Sequence, residues 1–307
     1  MKDWKDKGIR TRVLPEYRYS AAWNNLKTTR FSSPLSLKPD KSEFYDVSIT
    51  SRCNLECPFC YVSASHKGKD YTNICEKALF FFGNMDDNSK PFQIAIGSEG
   101  EPTIHPEFIR FLETIYKLNI VPNFTTNGLT IANNDSYSKE LLDAAEKYCA
   151  GVAVSANTYN NTVWTKWNLA VDKLLQRDVY VNLHIVVSDS RSIRNLKMIY
   201  DTYKDVVHTF VILPLMKNGR SNECMSIESF NELRKFYGEC DDVERLAFGA
   251  NMYRHLISQE DNGLPFIKCN TFEPEMFSKN LILDDTIRIT PSSFDTKTTL
   301  CEIVFNQ

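Results

Sequence analysis

The sequence predicts an α/β protein built around a mostly parallel sheet. From Phe44 onward, short runs rich in β-branched and aromatic residues alternate with longer amphipathic stretches, which is the pattern of successive βα units. The chain has 307 residues, of which 42% are hydrophobic, enough for a sizeable core in one large domain or two ordinary ones. Such units form a sheet that is either doubly wound or curled into a partial barrel, and composition does not choose between the two.

Six predicted strands alternate with predicted helices in this region. The strands are residues 45–50, 92–96, 121–125, 151–155, 180–187 and 208–213. The helices are residues 75–82, 105–119, 138–148, 164–176, 192–203 and 227–237. Pro106 near the start of the second helix and Ser138 as the expected cap of the third are helix-start signals. In parallel sheets of this kind, chemistry is expected at the C-terminal ends of the strands.

The regions before and within these units differ in character. Residues 1–43 mix polar, aromatic and proline residues without clear periodicity, and we expect them to form an N-terminal extension that covers the core. Residues 44–239 contain the βα units and form the predicted core domain. No internal repeat or low-complexity segment is evident.

Charge and composition bear on the partners and the compartment. The net charge is −3, with 36 basic and 39 acidic residues and no long basic block, so the charge pattern does not indicate a nucleic-acid or membrane partner. The N-terminus MKDWKDKGIRTRV lacks the apolar core of a signal peptide, and no stretch approaches the roughly 20 apolar residues of a membrane span. Nine cysteines, an odd number, do not resemble a secreted disulfide framework. The sequence therefore predicts a soluble, cytoplasmic protein.

Three cysteines, Cys53, Cys57 and Cys60, lie close together directly after the first predicted strand. A zinc site would prefer four protein ligands, and neither His66 nor Cys75 completes a finger-like set. A redox pair of the last two cysteines would leave the first unexplained, and inert buried cysteines fit poorly with the polar and turn-forming residues between them. Three soft thiolates on one loop fit an iron–sulfur cluster better, with the fourth iron open to a ligand that is not protein.

The stretch CNLECPFCY resembles the cluster loop of the radical S-adenosylmethionine (SAM) superfamily, with Phe59 before the last cysteine and Tyr61 after it. The resemblance implies that the three cysteines hold one [4Fe-4S] cluster and that the amine and carboxylate of SAM chelate the open iron. It also implies reductive cleavage of SAM to a 5′-deoxyadenosyl radical that removes hydrogen from a substrate, while the protein orients the reactants and excludes water and oxygen. An electron donor such as flavodoxin or ferredoxin is the implied redox partner.

Polar motifs after the later strands agree with this resemblance in their order along the chain. The segment AIGSEGEPTIHP is similar to the family's GGE segment, with Glu99 where glycine is more usual, NFTTNG is similar to its TNG turn, and AVSANT follows the fourth strand. Each could be an ordinary turn by itself, but together they resemble the family over residues 44–220. The residues that the resemblance assigns to the SAM site are Phe59, Tyr61, Gly100, Glu101, Pro102, Thr126, Asn127, Ser155, Asn157 and His184. It implies a partial (β/α)6 TIM-like barrel rather than a doubly wound sheet.

Other polar residues have ordinary structural interpretations beside the functional ones. His184 lies in the fifth strand run, where it could face SAM or be a hydrogen-bonded core histidine. His105 precedes a proline at a helix start and is interpreted as structural. Arg191 and Arg194 follow the fifth strand and could meet a carboxylate, although surface charge is the simpler interpretation.

The C-terminal region, residues 240–307, resembles a shortened SPASM or twitch extension. Such extensions bind auxiliary iron–sulfur clusters through several cysteines. Here Cys269 is kept, but Ser292 and Ser293 stand where a cysteine commonly follows proline. The remaining cysteines without cluster-like spacing are Cys224, Cys240 and Cys301. We therefore predict a single cluster, with this region serving as a remnant or a substrate lid.

The substrate is predicted only by analogy. The C-terminal resemblance favours a peptide or a peptide-like small molecule, and Cys224 or Cys149 could return a hydrogen atom to it, although a packed or surface thiol is the simpler interpretation of each. One alternative is modification of a nucleoside or nucleic-acid base, which a basic groove would favour. Another is a non-catalytic iron–sulfur protein that only transfers electrons.

Overall fold

The computed structural model describes residues 2–6, 9–13, 18–22, 30–32, 42–87, 89–156, 160–249, 252 and 278–305. Near the N-terminus, four strands pair in sequence order as an antiparallel sheet. They are β1 (Lys2–Asp6), β2 (Ile9–Val13), β3 (Arg18–Ala22) and β4 (Arg30–Ser32). This sheet is an addition to the prediction, which treats residues 1–43 as an extension without defined elements.

The second sheet contains the six predicted parallel strands. They are β5 (Phe44–Ser48), β6 (Gln93–Ile96), β7 (Val121–Thr126), β8 (Gly151–Ser155), β9 (Tyr180–Val187) and β10 (Thr209–Pro214). Each strand pairs in parallel with the next one along the chain, so the order runs in one direction from β5 to β10. A doubly wound sheet would reverse this order partway. The predicted partial barrel is therefore confirmed, and the described sheet remains open.

Six helices follow the strands as predicted, with small differences at their ends, and a further short helix after β7 was not predicted. They are α1 (Ile74–Gly83), α2 (Phe108–Lys117), α3 (Leu129–Ala132), α4 (Ser136–Tyr148), α5 (Asn161–Leu175), α6 (Ser190–Tyr203) and α7 (Ile227–Glu239), with 3-10 turns at Pro102–Ile104 and Val243–Arg245. Ser138 is not the cap of α4. Asp135 caps this helix by accepting a hydrogen bond from Ser138 N at 2.8 Å, because a carboxylate at the N-cap accepts from the free amides of the first turn. None of the helices in the part of the chain that the structure describes is long and apolar enough to cross a membrane.

The C-terminal region adds strands to both edges of this sheet. β11 (Leu246–Phe248) pairs in parallel with β10. At the other edge, β12 (Ser278–Ile282) pairs in parallel with β5, and β13 (Ile287–Thr290) and β14 (Cys301–Ile303) extend it with antiparallel pairs. The result is a ten-stranded sheet with β11 and β14 at its edges.

The two faces of the curved sheet differ in burial. Outward residues such as Ile94, Phe124 and Leu183 are at most 1% exposed and belong to one core with the helices. Burial alternates residue by residue along β9, whose inward residues are only partly buried. This alternation is the period-two pattern of a strand with one packed face. It leaves the inner face of the sheet accessible, near the strand ends where the cysteine loop begins.

Candidate functional site

Cys53, Cys57 and Cys60 occupy the loop after β5, where all three are half-buried and none forms a disulfide with another described cysteine. The backbone folds this loop back on itself, since Cys53 N donates to Ser65 O at 2.9 Å and Cys60 N donates to Cys57 O at 3.1 Å. The three thiols are close enough to interact electrostatically. Burial, followed by the Glu101 carboxylate and the other two thiols, raises the pKa of Cys53 to about 12.

This loop suits a cluster better than a single ion. Among the described residues, no three His, Cys, Asp or Glu side chains are grouped closely enough to hold one metal ion. His66 pairs with Glu56 at 2.8 Å, and Cys75 is buried in α1, so neither joins the loop thiols in a zinc site. Three thiolates can hold three irons of a [4Fe-4S] cluster and leave the fourth open to another ligand, and iron supplies the positive charge that stabilises thiolates in a buried setting. The residues present therefore fit the predicted [4Fe-4S] cluster.

An ion pair holds the start of the loop in place. Arg52 binds Asp70 through two guanidinium nitrogens, at 2.6 and 3.1 Å, and also donates to Ile104 O at 2.9 Å. Thr50 Oγ1 donates to the same carboxylate at 2.7 Å. Burial opposes ionisation of Asp70, but the hydrogen bonds from Arg52 and Thr50 outweigh it and lower the pKa of Asp70.

The chain after β10 holds the loop from the opposite side. Arg220 donates from its guanidinium to Cys57 O at 2.9 Å and to Ser63 O at 3.1 Å, and its backbone amide donates to Cys60 O at 3.0 Å. Gly219 has φ of 62°, and a Cβ there would lie 2.3 Å from Cys60 O. Only glycine allows this close backbone approach. The first and last strands of the barrel are thus connected through the cysteine loop.

The GGE-like segment packs against the start of the same loop. Gly100 N donates to Thr50 O at 3.0 Å, and Glu101 N donates to Arg52 O at 2.8 Å. A Cβ at Gly100 would lie 2.2 Å from Arg52 O, so glycine is required there. Glu99, at the position where glycine is more usual, accepts a hydrogen bond from the Tyr71 hydroxyl at 2.6 Å.

The Glu101 carboxylate is committed to protein donors. It is 2% exposed, and one oxygen accepts from Thr103 N, Thr103 Oγ1 and Thr126 Oγ1 at 3.1, 2.6 and 2.8 Å. The other oxygen accepts from Asn127 N at 2.7 Å. Burial raises the pKa of Glu101 even though these hydrogen bonds lower it. The carboxylate therefore connects the GGE-like segment to the TNG turn.

Asn127 extends from that turn to the cysteine loop. Its Nδ2 donates to Asn54 Oδ1 at 2.7 Å and lies 3.9 Å from Cys53 Sγ. Its Oδ1 accepts from Leu129 N at 3.0 Å, which fixes the amide orientation. Gly128 has φ of 82°, and a Cβ there would lie 2.9 Å from Ala170 Cβ. The structure thus brings Asn127 beside the first cysteine, although the two residues lie in different strand-end loops.

Other predicted site residues also lie near the C-terminal ends of the strands, each in different surroundings. The Tyr61 hydroxyl donates to Ser98 O at 2.6 Å, and its ring packs on Phe294 with 4.6 Å between centroids. Pro102 is buried and begins a 3-10 turn, which is a structural position. Ser155 pairs with His184 across β8 and β9. Asn157 lies outside the described residues.

The histidines differ in environment. His184 faces inward from β9, and burial lowers its pKa to about 4, so its ring is neutral at physiological pH. His105 is 2% exposed, with Nε2 placed 3.0 Å from Tyr71 O and Nδ1 accepting from Glu107 N at 3.1 Å. This agrees with its structural interpretation.

A pocket of about 480 Å³ opens beside the loop, at the C-terminal ends of β8, β9 and β10. Its lining includes Phe59, Ala156, Val186, Ser188, Leu215 and Arg220. Arg191 also lines it, so the simpler interpretation of this residue as surface charge is incomplete. Ser188, Leu215 and Arg220 were not predicted as site residues from the sequence. Each of the three follows a predicted strand, and this position in the sequence could have identified them.

The serines at the predicted auxiliary-cluster position have a different role. Ser293 is 7% exposed and hydrogen-bonds to the Asp46 carboxyl group on β5. Asn218 Nδ2 donates to Phe294 O at 3.4 Å, so this segment also contacts the chain after β10. Cys269 lies outside the described residues, and the absence of auxiliary clusters stays a prediction.

The sequence profile of the radical SAM superfamily matches residues 47–218, more than half of the chain. Among characterised proteins, the 7,8-dihydro-6-hydroxymethylpterin dimethyltransferase of Methanocaldococcus jannaschii is 30% identical over 102 residues. That match covers 32% of this chain and 20% of the relative, so the chain corresponds to a minor part of that protein.

Solved structures share the fold. Streptococcus suis SuiB bound to its precursor peptide SuiA superposes with a TM-score of 0.62 at 12% identity, covering 84% of this chain and 62% of SuiB. The enzyme anSMEcpe with bound AdoMet superposes with a TM-score of 0.57 at 18% identity, covering 84% of this chain and 77% of that one. At these identities the likeness establishes the architecture and leaves the substrate open.

Proposed function

Because the chain belongs to the radical SAM superfamily, we propose that it is an enzyme in which Cys53, Cys57 and Cys60 hold one [4Fe-4S] cluster beside bound SAM. The cofactors of this family, a [4Fe-4S] cluster and SAM, are the ones that the sequence predicted from the cysteine spacing and from the resemblance of the cysteine loop. The main support is the arrangement of three thiols on one loop, which Arg52 holds through Asp70 and Ile104 and which Arg220 holds from the chain after β10.

When bound, these groups would supply radical chemistry: with one electron from an external donor, SAM would yield methionine and a 5′-deoxyadenosyl radical able to remove a hydrogen atom from the substrate. The chain's own residues bind and orient these groups. Asn127 is directed at the cysteine loop by its bonds to Asn54 and Leu129. Phe59 and Leu215 provide apolar wall in the adjoining pocket, where they exclude water from the reacting groups. Ser188 and Arg191 provide polar contacts in the same pocket.

We propose a peptide or peptide-like substrate and an external electron donor such as flavodoxin or ferredoxin. Two observations support the substrate class, namely the fold shared with SuiB and the position of the C-terminal segment against the cysteine loop. The chain spans less than two thirds of SuiB, so the substrate is proposed from architecture only. Nucleosides are the alternative substrate class, and they are tested in the same assay as the peptides.

The test is anaerobic reconstitution followed by reduction with dithionite in the presence of SAM. We expect about four irons per chain and formation of 5′-deoxyadenosine. Replacing Cys53, Cys57 and Cys60 together by alanine should remove both, whereas Cys301→Ala, which removes an exposed thiol on β14, should preserve both. A panel of peptides and nucleosides is then scored by substrate-dependent 5′-deoxyadenosine. A cluster that forms without any cleavage of SAM would support electron transfer and contradict the enzyme proposal.

A further inference from the structure

The inner wall of the half-barrel is polar. The inward side chains of β5 to β9 include Asp46, Gln93, Asn123, Thr125, Asn182 and His184, and all are only partly buried. Closed barrels fill this space with bulky branched side chains. A polar wall that is left accessible is suited to a polar ligand.

Asp46 is the acidic residue on this wall. Along β5 to β10, all of which the structure describes, the inward positions contain no Lys or Arg. His184 is neutral because burial lowers its pKa to about 4. Arg288 on β13 is engaged by Asp284 at 2.5 Å. Ser293 hydrogen-bonds to the Asp46 carboxyl group. Burial still raises the pKa of Asp46 to about 6, because one hydroxyl does not replace the hydration that the carboxylate has lost.

The position of Asp46 relates the wall to the cysteine loop. Ser293 hydrogen-bonds to the side chains of both Asp46 and Tyr61, so the two side chains lie close together. Tyr61 directly follows Cys60, and its hydroxyl donates to Ser98 O at 2.6 Å. A ligand held at Asp46 would therefore lie beside the loop at which the radical is proposed to form.

A carboxylate that has lost much of its hydration is stabilised by a cation or by several donors. The inward positions of β5 to β10 provide hydroxyl and amide groups around Asp46 and no cation. Arg288, which the strand register places on the same face of the sheet, is paired with Asp284. An ammonium or guanidinium group would supply charge-assisted hydrogen bonds.

We propose that Asp46 binds a cationic group of the substrate, either a guanidinium or an ammonium. The inference rests on the proposed function for the identity of the ligand as a substrate. Both an arginine or lysine side chain of a peptide and an amino sugar present this chemistry, and the experiment separates the two sources.

The test measures probe binding by calorimetry on the reconstituted full chain with saturating SAM. Nα-acetyl-arginine amide is compared with its neutral isostere Nα-acetyl-citrulline amide, and glucosamine is compared with glucose. In at least one pair, the wild type should bind the cation about tenfold more tightly, as expected for a hydrogen-bonded charge pair. Asp46→Asn should abolish this preference, and Asp46→Glu should keep a preference for the cation. Asp87→Asn, at a side chain that is 90% exposed, is the control for net charge and should bind as the wild type does.

Equal affinities within both pairs in the wild type would overturn the proposal, as would a cation preference that survives in Asp46→Asn. The wild type could also show equal affinities within both pairs while Asp46→Asn binds SAM more weakly. In that case the Asp46 carboxylate binds SAM and not the substrate, and the proposal is overturned. Iron content and circular dichroism of each variant establish that it is folded. Cation binding at Asp46 without any 5′-deoxyadenosine formation would contradict the proposed enzyme function alone, and SAM cleavage without cation preference would contradict this inference alone.

Discussion

At the scale of single residues, Glu101 could either contact SAM directly or position other residues of the SAM site. Its motif resembles a segment that meets SAM, but its two oxygens already accept four hydrogen bonds from Thr103, Thr126 and Asn127. A buried carboxylate with this many donors is satisfied by the protein. We infer that it acts on the cofactor site through the orientation of Asn127.

Replacing Glu101 with glutamine tests this role. The amide group of Gln presents a donor where one oxygen now accepts, so a buried hydrogen bond is lost, and we expect unfolding to become easier by about 1–3 kcal/mol. Urea unfolding measures the change. Glu113→Gln on the exposed face of α2 is the matched control and should leave stability close to that of the wild type. If Glu101→Gln keeps wild-type stability but weakens SAM binding, the carboxylate contacts SAM directly and the positioning role is wrong.

At the scale of elements, the cysteine loop is shaped by neighbouring loops that approach its backbone closely. Gly100 and Gly219 meet carbonyl oxygens of this loop from the β6 and β10 sides. Arg220 and Arg52 then hold it with charged donors. The loop has no regular secondary structure of its own over residues 51–73, so its conformation depends on these contacts.

Gly100→Ala should disrupt this packing. A methyl group would lie 2.2 Å from Arg52 O, and the backbone must move to accommodate it, at a cost of about 3 kcal/mol. Gly238→Ala is the matched control, because a Cβ there meets nothing within 4 Å and alanine favours the helix α7 by about 0.5–1 kcal/mol. Thermal unfolding of both variants and of the wild type measures these changes in stability. Equal stability of Gly100→Ala and the wild type would show that the loop does not need this approach.

Arg220→Met should loosen the cysteine loop while keeping the apolar stem of the side chain. It removes the guanidinium bonds to Cys57 O and Ser63 O, and hydrogen bonds of charged groups are typically worth about 1.5–3 kcal/mol. We expect iron release to a chelator to become about tenfold faster. Arg191→Met, from the same pocket wall, should release iron at the wild-type rate. Comparable rates in Arg220→Met and the wild type would mean that the cluster is held without this side chain.

At the scale of the whole molecule, the sheet separates several of the remaining cysteines. Cys240 follows α7 and precedes β11 at one edge, whereas Cys301 lies in β14 at the other edge of the ten-stranded sheet. The Cys240 thiol donates to Phe236 O of α7 at 3.2 Å, and Cys301 is exposed. The arrangement supports the prediction of a single cluster, with Cys269 still to be tested.

Mössbauer spectroscopy on the reconstituted wild type and on the triple alanine variant of Cys53, Cys57 and Cys60 provides that test. The variant should show no cubane signal, because the hairpin has Ser292 and Ser293 where an auxiliary cluster needs sulfur. Cys269→Ala should leave the wild-type spectrum unchanged. Cubane signal in the triple variant would demonstrate a second cluster and make the single-cluster prediction wrong.

The sequence by itself determined the βα units, the six strands to within two residues of their ends and the cysteine loop. These features depend on periodicity, turn chemistry and the spacing of neighbouring residues, which are local properties. The family resemblance then predicted the partial barrel, which the strand order confirms.

Only the tertiary structure decided which polar groups meet. It directed Glu101 into a buried network, brought Arg220 from the end of β10 to Cys57, and placed β12 beside β5 so that Ser293 reaches Asp46. These contacts join residues far apart in sequence. They form because the curvature of the sheet brings the loops at its strand ends to one mouth and because the C-terminal strands extend its open edge, and neither effect leaves a periodic signal in the chain.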